Sequence, residues 1–248
     1  MSERALVDDA SLRLDDVTLT GDRAHHLARV SRVRPGERVT LFDGAGYERD
    51  AEVIRVDARA VALRCVSPRR AGVTADAARV TWLQGVPKGD KLETIARQAT
   101  ELGAWRFVPV WTARSVPRER PDRAVTRHER LLRVVEEAAR QCHRADLPEV
   151  LPACDLATAL ALAPAGALKL LAWERAARPL GTLPAPGEGG VTVLAGPEGG
   201  IADEEAARAE SAGFLPISLG RRILRAETVA PALLAVLSAR WGDLGAAG

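Results

Sequence analysis

The stretch Val191-Thr192-Val193-Leu194-Ala195-Gly196-Pro197-Glu198-Gly199-Gly200 decides the fold class. Five apolar or β-branched residues without polar alternation predict a strand, and the turn-rich pentapeptide ends it. Asp203 to Ala212 follows as a helix with Asp203, Glu204 and Glu205 in its first turn, where the dipole favours acids. Phe214 to Leu219 is the next strand and Thr228 to Trp241 the last helix. Working towards the N-terminus, Leu168 to Trp173 is a strand, with a Pro- and Gly-rich loop between it and Val191. Asp155 caps a short helix that Pro164 ends. His128 to His143 is an amphipathic helix with Leu131, Val135, Ala138 and Cys142 on one face, and Trp105 to Trp111 is a strand. Asp90, with Glu93 three residues on, opens a helix as a capping box, and Gly103 closes it. Val80 to Leu83 is the strand before it. Repeated alternation of strand and helix predicts an α/β domain, a mostly parallel sheet covered on both faces.

Ahead of Val80 the pattern changes. Arg38 to Phe42, Glu48 to Val56 and Ala60 to Val66 are short branched-residue segments separated by turn signals such as Asp43-Gly44-Ala45-Gly46. They predict a small barrel or sandwich, with a short helix over His25 to Val30. The cluster Ser67-Pro68-Arg69-Arg70-Ala71-Gly72 marks a boundary between Pro68 and Asp76, giving domains over 1–72 and 73–248.

The chain has 248 residues, 47% hydrophobic and 27% charged, with a mean hydropathy of −0.07, which suits a soluble globular protein. No apolar run is long enough for a membrane span, and Met1 to Asp9 lacks the pattern of a secretory leader. Cys65, Cys142 and Cys154 are dispersed and odd in number, so neither a disulfide framework nor a zinc site is expected, and a reducing cytoplasm is. The net charge of +2 permits a nucleic-acid partner without demanding one. A dinucleotide fingerprint, a phosphate loop, an H-E-x-x-H helix and a G-x-S-x-G elbow are all missing, which argues against dehydrogenase, kinase, metalloprotease and hydrolase chemistry.

Two motifs each follow a strand and open a helix: Gly196 to Gly200, and Leu219-Gly220-Arg221-Arg222-Ile223-Leu224-Arg225-Ala226-Glu227-Thr228. Taken singly, each is most simply a turn. Facing one another at one sheet edge, they would form a pocket of backbone amides and apolar side chains, suited to a neutral or zwitterionic nucleoside rather than a triphosphate. Glu101, near a helix C-terminus, is placed against the dipole and is singled out for that reason.

The order of several motifs resembles the ribosomal RNA small subunit methyltransferase E family of the knotted SPOUT superfamily. The matching pieces are His25-His26-Leu27, Lys88-Gly89-Asp90-Lys91, Glu101-Leu102-Gly103, Gln141 with Arg144, Gly196 to Gly200, Leu219-Gly220, Ile223-Leu224-Arg225 and Glu227-Thr228. Ser31, Ala226, Ile201 and Cys142 depart from its usual residues. The resemblance implies a PUA-like RNA-binding β-barrel followed by a methyltransferase domain with a trefoil knot. It implies S-adenosylmethionine as cofactor, N3 of one uridine in 16S rRNA of the small ribosomal subunit as target, and a cytoplasmic homodimer needing neither metal nor membrane. The cofactor would lie against Ala172, Trp173, Gly196, Pro197, Glu198, Gly199, Gly200, Leu219, Gly220, Ile223, Leu224, Arg225 and Thr228. Arg225, Glu101 and Arg114 would serve catalysis, while His25, Arg29, Arg32, Lys88, Gln141 and Arg144 would grip RNA. The competing expectations are a SPOUT methyltransferase acting on another RNA such as tRNA, and an RNA-binding assembly factor without catalysis.

Overall fold

The computed structural model describes residues 3–115 and 121–245. Two compact units emerge. The first comprises Met1–Thr74 with Glu136–Leu147, and the second Ala75–Val135 with Pro148–Gly248.

In the first unit the order is β1 (Glu3–Leu6), α1 (Asp9–Leu12), β2 (Asp16–Thr20), α2 (Gly21–His25), β3 (Arg38–Phe42), β4 (Tyr47–Val56), β5 (Ala60–Cys65) and β6 (Arg70–Ala71). The sheet runs β1-β3-β4-β5-β2, with β6 also on β4, and curls into a half-barrel. Only β1 and β3 pair parallel; the other pairs are antiparallel. Strand β2 alternates exposed and buried residues, placing Val17 and Leu19 in a core with Leu27, Leu41, Val53 and Leu63. The expected helix at His25 is instead the end of α2, which continues as a π turn over His26–Val30. Ser31 N–H closes that turn on the His26 carbonyl at 2.9 Å, and Arg32 leaves it at φ 54°.

The second unit contains β7 (Val80–Gly85), α3 (Lys91–Glu101), β8 (Arg106–Trp111), α4 (Pro121–Gln141, its last six residues belonging to the first unit), β9 (Glu149–Val150), β10 (Cys154–Asp155), α5 (Leu156–Ala161), β11 (Leu168–Ala172), β12 (Val191–Ala195), α6 (Asp203–Ser211), β13 (Leu215–Ile217) and α7 (Ala226–Trp241). Its strands are ordered β10-β8-β7-β12-β11-β13, with β9 also on β8, and every pair is parallel. Successive side chains of a strand point to opposite faces. Trp82, Phe107, Leu170 and Val193 accordingly pack with α3, α4 and α7, while Leu83, Val108, Leu171 and Leu194 pack with α5 and α6. Both faces are covered, as the apolar runs require.

Helix starts show where local rules held. Asp155 accepts from Thr158 N–H at 2.8 Å, a true N-cap. Asp90 makes no such bond; its carboxylate turns to Arg130 at 3.4 Å, so the expected capping box does not form. Helix α4 begins seven residues before His128, and α7 two residues before Thr228. Among the described residues no helix is long and apolar enough to cross a membrane.

Candidate functional site

Ligands of open α/β sheets bind beyond the carboxyl ends of the strands. In this unit the ends of β11, β12 and β13 lie side by side, and the loops after them enclose a cavity of about 520 Å3. Ala172, Trp173 and Glu174 form one wall; Gly196 to Gly200 form another; Ile217 to Ala226, with Glu227 and Val229, form the third.

Close backbone approaches shape the glycine loop. A Cβ on Gly85, at the end of β7, would fall 2.6 Å from the Pro197 ring, so only glycine lets the two turns pack. Gly200 sits at φ 73°, and a Cβ there would meet the Glu174 carboxylate at 2.8 Å. Its N–H closes the turn on the Pro197 carbonyl at 2.9 Å.

Charge is concentrated where the loops meet. Lys91, the first residue of α3, reaches Glu198 at 2.7 Å and lies 3.7 Å from Glu227. Burial pushes the Glu198 carboxyl up, but the Lys91 hydrogen bond and backbone N–H donors outweigh it and hold it below its usual range. The same hydrogen bond raises the Lys91 ammonium above its ordinary value. Glu227 therefore faces Lys91, and the Arg225 guanidinium makes no hydrogen bond or ion pair among the described residues.

All the sequence-selected cofactor residues except Thr228 line this cavity. Thr228 is exposed on α7, its N–H given to the Arg225 carbonyl at 2.8 Å, because the helix turns it away between Glu227 and Val229. Of the three proposed catalytic residues, Arg225 lines the cavity. Glu101 is exposed at the last position of α3 and is not on the wall. Arg114 is not on the wall either; it buttresses the glycine loop by donating to the Gly199 carbonyl at 2.6 Å.

The proposed RNA residues separate similarly. His25, Arg29 and Arg32 are exposed around the π turn, and Gln141 is exposed at the end of α4. The Lys88 side chain is exposed, while its backbone N–H donates to Glu198 at 3.3 Å. Arg144 requires a correction: it is 3% exposed, and both arms of its fork are bound by Asp146 at 3.0 and 2.9 Å. Its carbonyl accepts from Arg4, so it organises the first unit's interior rather than an open surface.

Lys91, Arg221, Arg222 and Glu227 also line the cavity; they belong to motifs read from sequence but were given no cofactor role there, and Glu174 was not read at all. Lys91 carried a usable signal, since a cation in a first helical turn opposes the dipole just as Glu101 does in a last one. Among the described residues no group of three His, Cys, Asp or Glu could hold a metal ion.

Comparisons with known proteins bear on this geometry. Residues 74–238 match the model of an RNA methyltransferase domain, and residues 19–64 that of an RNA methyltransferase PUA domain. The ribosomal RNA small subunit methyltransferase E of Mycobacterium tuberculosis is 35% identical, over 89% of this chain and 86% of that protein. This chain belongs to the ribosomal RNA small subunit methyltransferase E family. The family member of Bacillus subtilis is 29% identical over 89% of each chain. A crystal structure of the Neisseria gonorrhoeae member, bound to S-adenosyl methionine, superposes with a TM-score of 0.90 at 30% identity, over 98% of this chain and 99% of that one. The family's α/β architecture, with a PUA domain preceding the methyltransferase domain, is thus the one observed.

Proposed function

We propose that this chain uses S-adenosylmethionine to methylate N3 of a specific uridine in 16S rRNA. The observation that carries the reading is the cavity itself, enclosed by the loops after the neighbouring strands β12, β11 and β13, two of them glycine-bearing, in a member of this family. Its volume suits a nucleoside with an amino-acid arm. The wall carries both signs of charge, Glu174, Glu198 and Glu227 beside Lys91, Arg221, Arg222 and Arg225, which suits a zwitterionic ligand. Ala172, Trp173, Gly196 to Gly200, and Leu219 to Arg225 would hold the cofactor, which when bound supplies an electrophilic methyl group.

The remaining work belongs to the chain's own residues. Uracil N3 keeps its proton near neutral pH, so the protein must stabilise the charge that develops as that proton leaves to solvent water. Arg225 does this from the cavity wall, its guanidinium donating to a uracil carbonyl oxygen. The rigid loops hold the two reactants in line, which lowers the barrier by several kcal/mol. Arg114 fixes the glycine loop from outside. Glu101 lies off the wall and orients RNA rather than touching the cofactor.

Residues 1–72, completed by Glu136–Leu147, form the RNA-binding domain, and the rest of 73–248 forms the methyltransferase domain, with a trefoil knot in the C-terminal crossover. His25, Arg29, Arg32, Lys88 and Gln141 contact RNA. The enzyme works in the cytoplasm as a homodimer on the small ribosomal subunit, whose folded RNA shapes the target.

The test is incubation with methyl-labelled S-adenosylmethionine and, in parallel, unmodified small subunits, free 16S rRNA and tRNA, followed by nucleoside identification. Label in 3-methyluridine from 16S rRNA is expected, with subunits the better substrate. Label in tRNA, in another nucleoside, or in none of the three RNAs overturns the reading.

A further inference from the structure

One carboxylate on the cavity wall, that of Glu227, has an oxygen, Oε2, that is shielded from solvent and has no hydrogen-bond partner among the described residues. Its nearest cation, Lys91 Nζ, is 3.7 Å away, beyond hydrogen-bond reach, because that ammonium is engaged by Glu198 at 2.7 Å. A carboxylate oxygen withdrawn from water without a donor is costly. The same residue lines the cavity together with Lys91 and Glu198. Lys91 itself stands in the first turn of α3, where the helix dipole opposes it, so local helix preference does not explain its place. What does explain it is position: Lys91 joins the loop after β7 to Glu198 on the loop after β12 and to Glu227 at the start of α7.

We propose that Glu227 is a further ligand-binding residue, taking a hydrogen bond from a hydroxyl or ammonium donor of the bound nucleoside–amino acid, and that Lys91 is the residue that positions it. This rests on the cofactor reading above and adds two residues to it. Glu198 completes the first coordination of Lys91 and so leaves the Glu227 carboxylate only partly neutralised. The cavity thereby offers an acceptor to a donor-bearing ligand. Adenine alone presents neither the hydroxyl nor the ammonium donor and gains nothing from it.

The experiment is calorimetry on the full chain with three probes: S-adenosylhomocysteine, 5′-methylthioadenosine and adenine. Glu227→Gln keeps the shape and removes the charge. It is expected to weaken S-adenosylhomocysteine about tenfold or more, the scale of a hydrogen bond to a charged group, while adenine stays within about twofold. A matching loss for 5′-methylthioadenosine identifies a ribose hydroxyl as the donor; an unchanged 5′-methylthioadenosine identifies the ammonium. Lys91→Met is expected to give the same pattern with a smaller amplitude, and the double variant less than the product of the two losses. If Glu227→Gln binds all three probes like the wild type, the proposal fails while the cofactor reading stands. It fails equally if adenine weakens as much as S-adenosylhomocysteine, since that marks a collapsed cavity and a structural role. A wild type that binds none of the probes overturns the cofactor reading, and this inference with it.

Discussion

The side-chain amide of Gln84 donates to the carbonyl of Gly196 at 3.0 Å, joining residues 112 positions apart. The same amide donates to the Gly85 carbonyl at 3.0 Å, and its oxygen accepts from Trp82 Nε1 at 2.8 Å. Gln84 is fully buried, so it is a pillar under the glycine loop rather than a ligand contact. Gln84→Leu leaves the indole N–H and two carbonyls without this partner. The expected cost is about 1–3 kcal/mol in urea unfolding, with weaker cofactor binding. Unchanged stability and unchanged affinity together would show that the loop keeps its shape without Gln84.

Arg225→Ala removes a guanidinium that is on the cavity wall and has no hydrogen-bond or ion-pair partner among the described residues. Single-turnover methyl transfer at saturating S-adenosylmethionine is expected to slow by about a hundredfold or more, the usual effect of losing one charge-stabilising donor. A rate equal to wild type would remove Arg225 from the chemistry.

The Lys91–Glu198 pair makes folding stability depend on pH at its acid and alkaline extremes. Glu198 is held below its ordinary 4.5, so its contribution is complete above that value and is lost as pH falls through the lower folded value. Lys91 is raised above its ordinary 10.5, so its contribution is complete below that value and is lost as pH rises through the higher folded one. Stability from urea unfolding across pH should be flat between the two limits as far as this pair is concerned. Lys91→Met should change the acid limb, because Glu198 then titrates closer to its ordinary value.

His26, in the π turn of the first unit, is held below 6.5, first by burial and then by the positive charge of Arg140. The folded unit therefore favours the neutral ring. That contribution is present above pH 6.5 and lost as pH falls through the folded value. NMR titration should place the His26 midpoint below 6.5, and Arg140→Ala should raise it without fully restoring the ordinary value. A midpoint at or above 6.5 in the wild type contradicts this geometry.

Much of the second unit is legible in sequence because its strands are buried on both faces. Val191–Ala195 is apolar or β-branched throughout and entirely buried. Helix α3 shows its inward face in Leu92, Ile95, Ala96 and Ala99. The early turns of α4 are not legible in that way: Val125 is exposed, so no apolar stripe announces them, although proline suits the first helical position. Strand β1 is hidden for the opposite reason. Its Arg4 looks like a surface residue yet is buried, paired with Glu48 at 2.9 Å and lying over the Phe42 ring. Such a charge is tolerated only because the fold supplies its partners. At the site, glycine loops announce themselves locally. Lys91 and Glu227 become neighbours only through the fold, and Arg144 reads as a surface cation until Asp146 encloses it.

The first unit draws on two separated stretches, Met1–Thr74 and Glu136–Leu147. During synthesis the early stretch must wait, with its Arg4 guanidinium short of the Arg144 carbonyl, until the later one has left the ribosome. A gene fragment stopping at codon 74 would encode a half-barrel lacking that later stretch, and such a fragment should be a poor substitute for the whole. Grafting this RNA-binding module onto another enzyme would therefore demand both pieces, spliced in the order in which the native gene interleaves them.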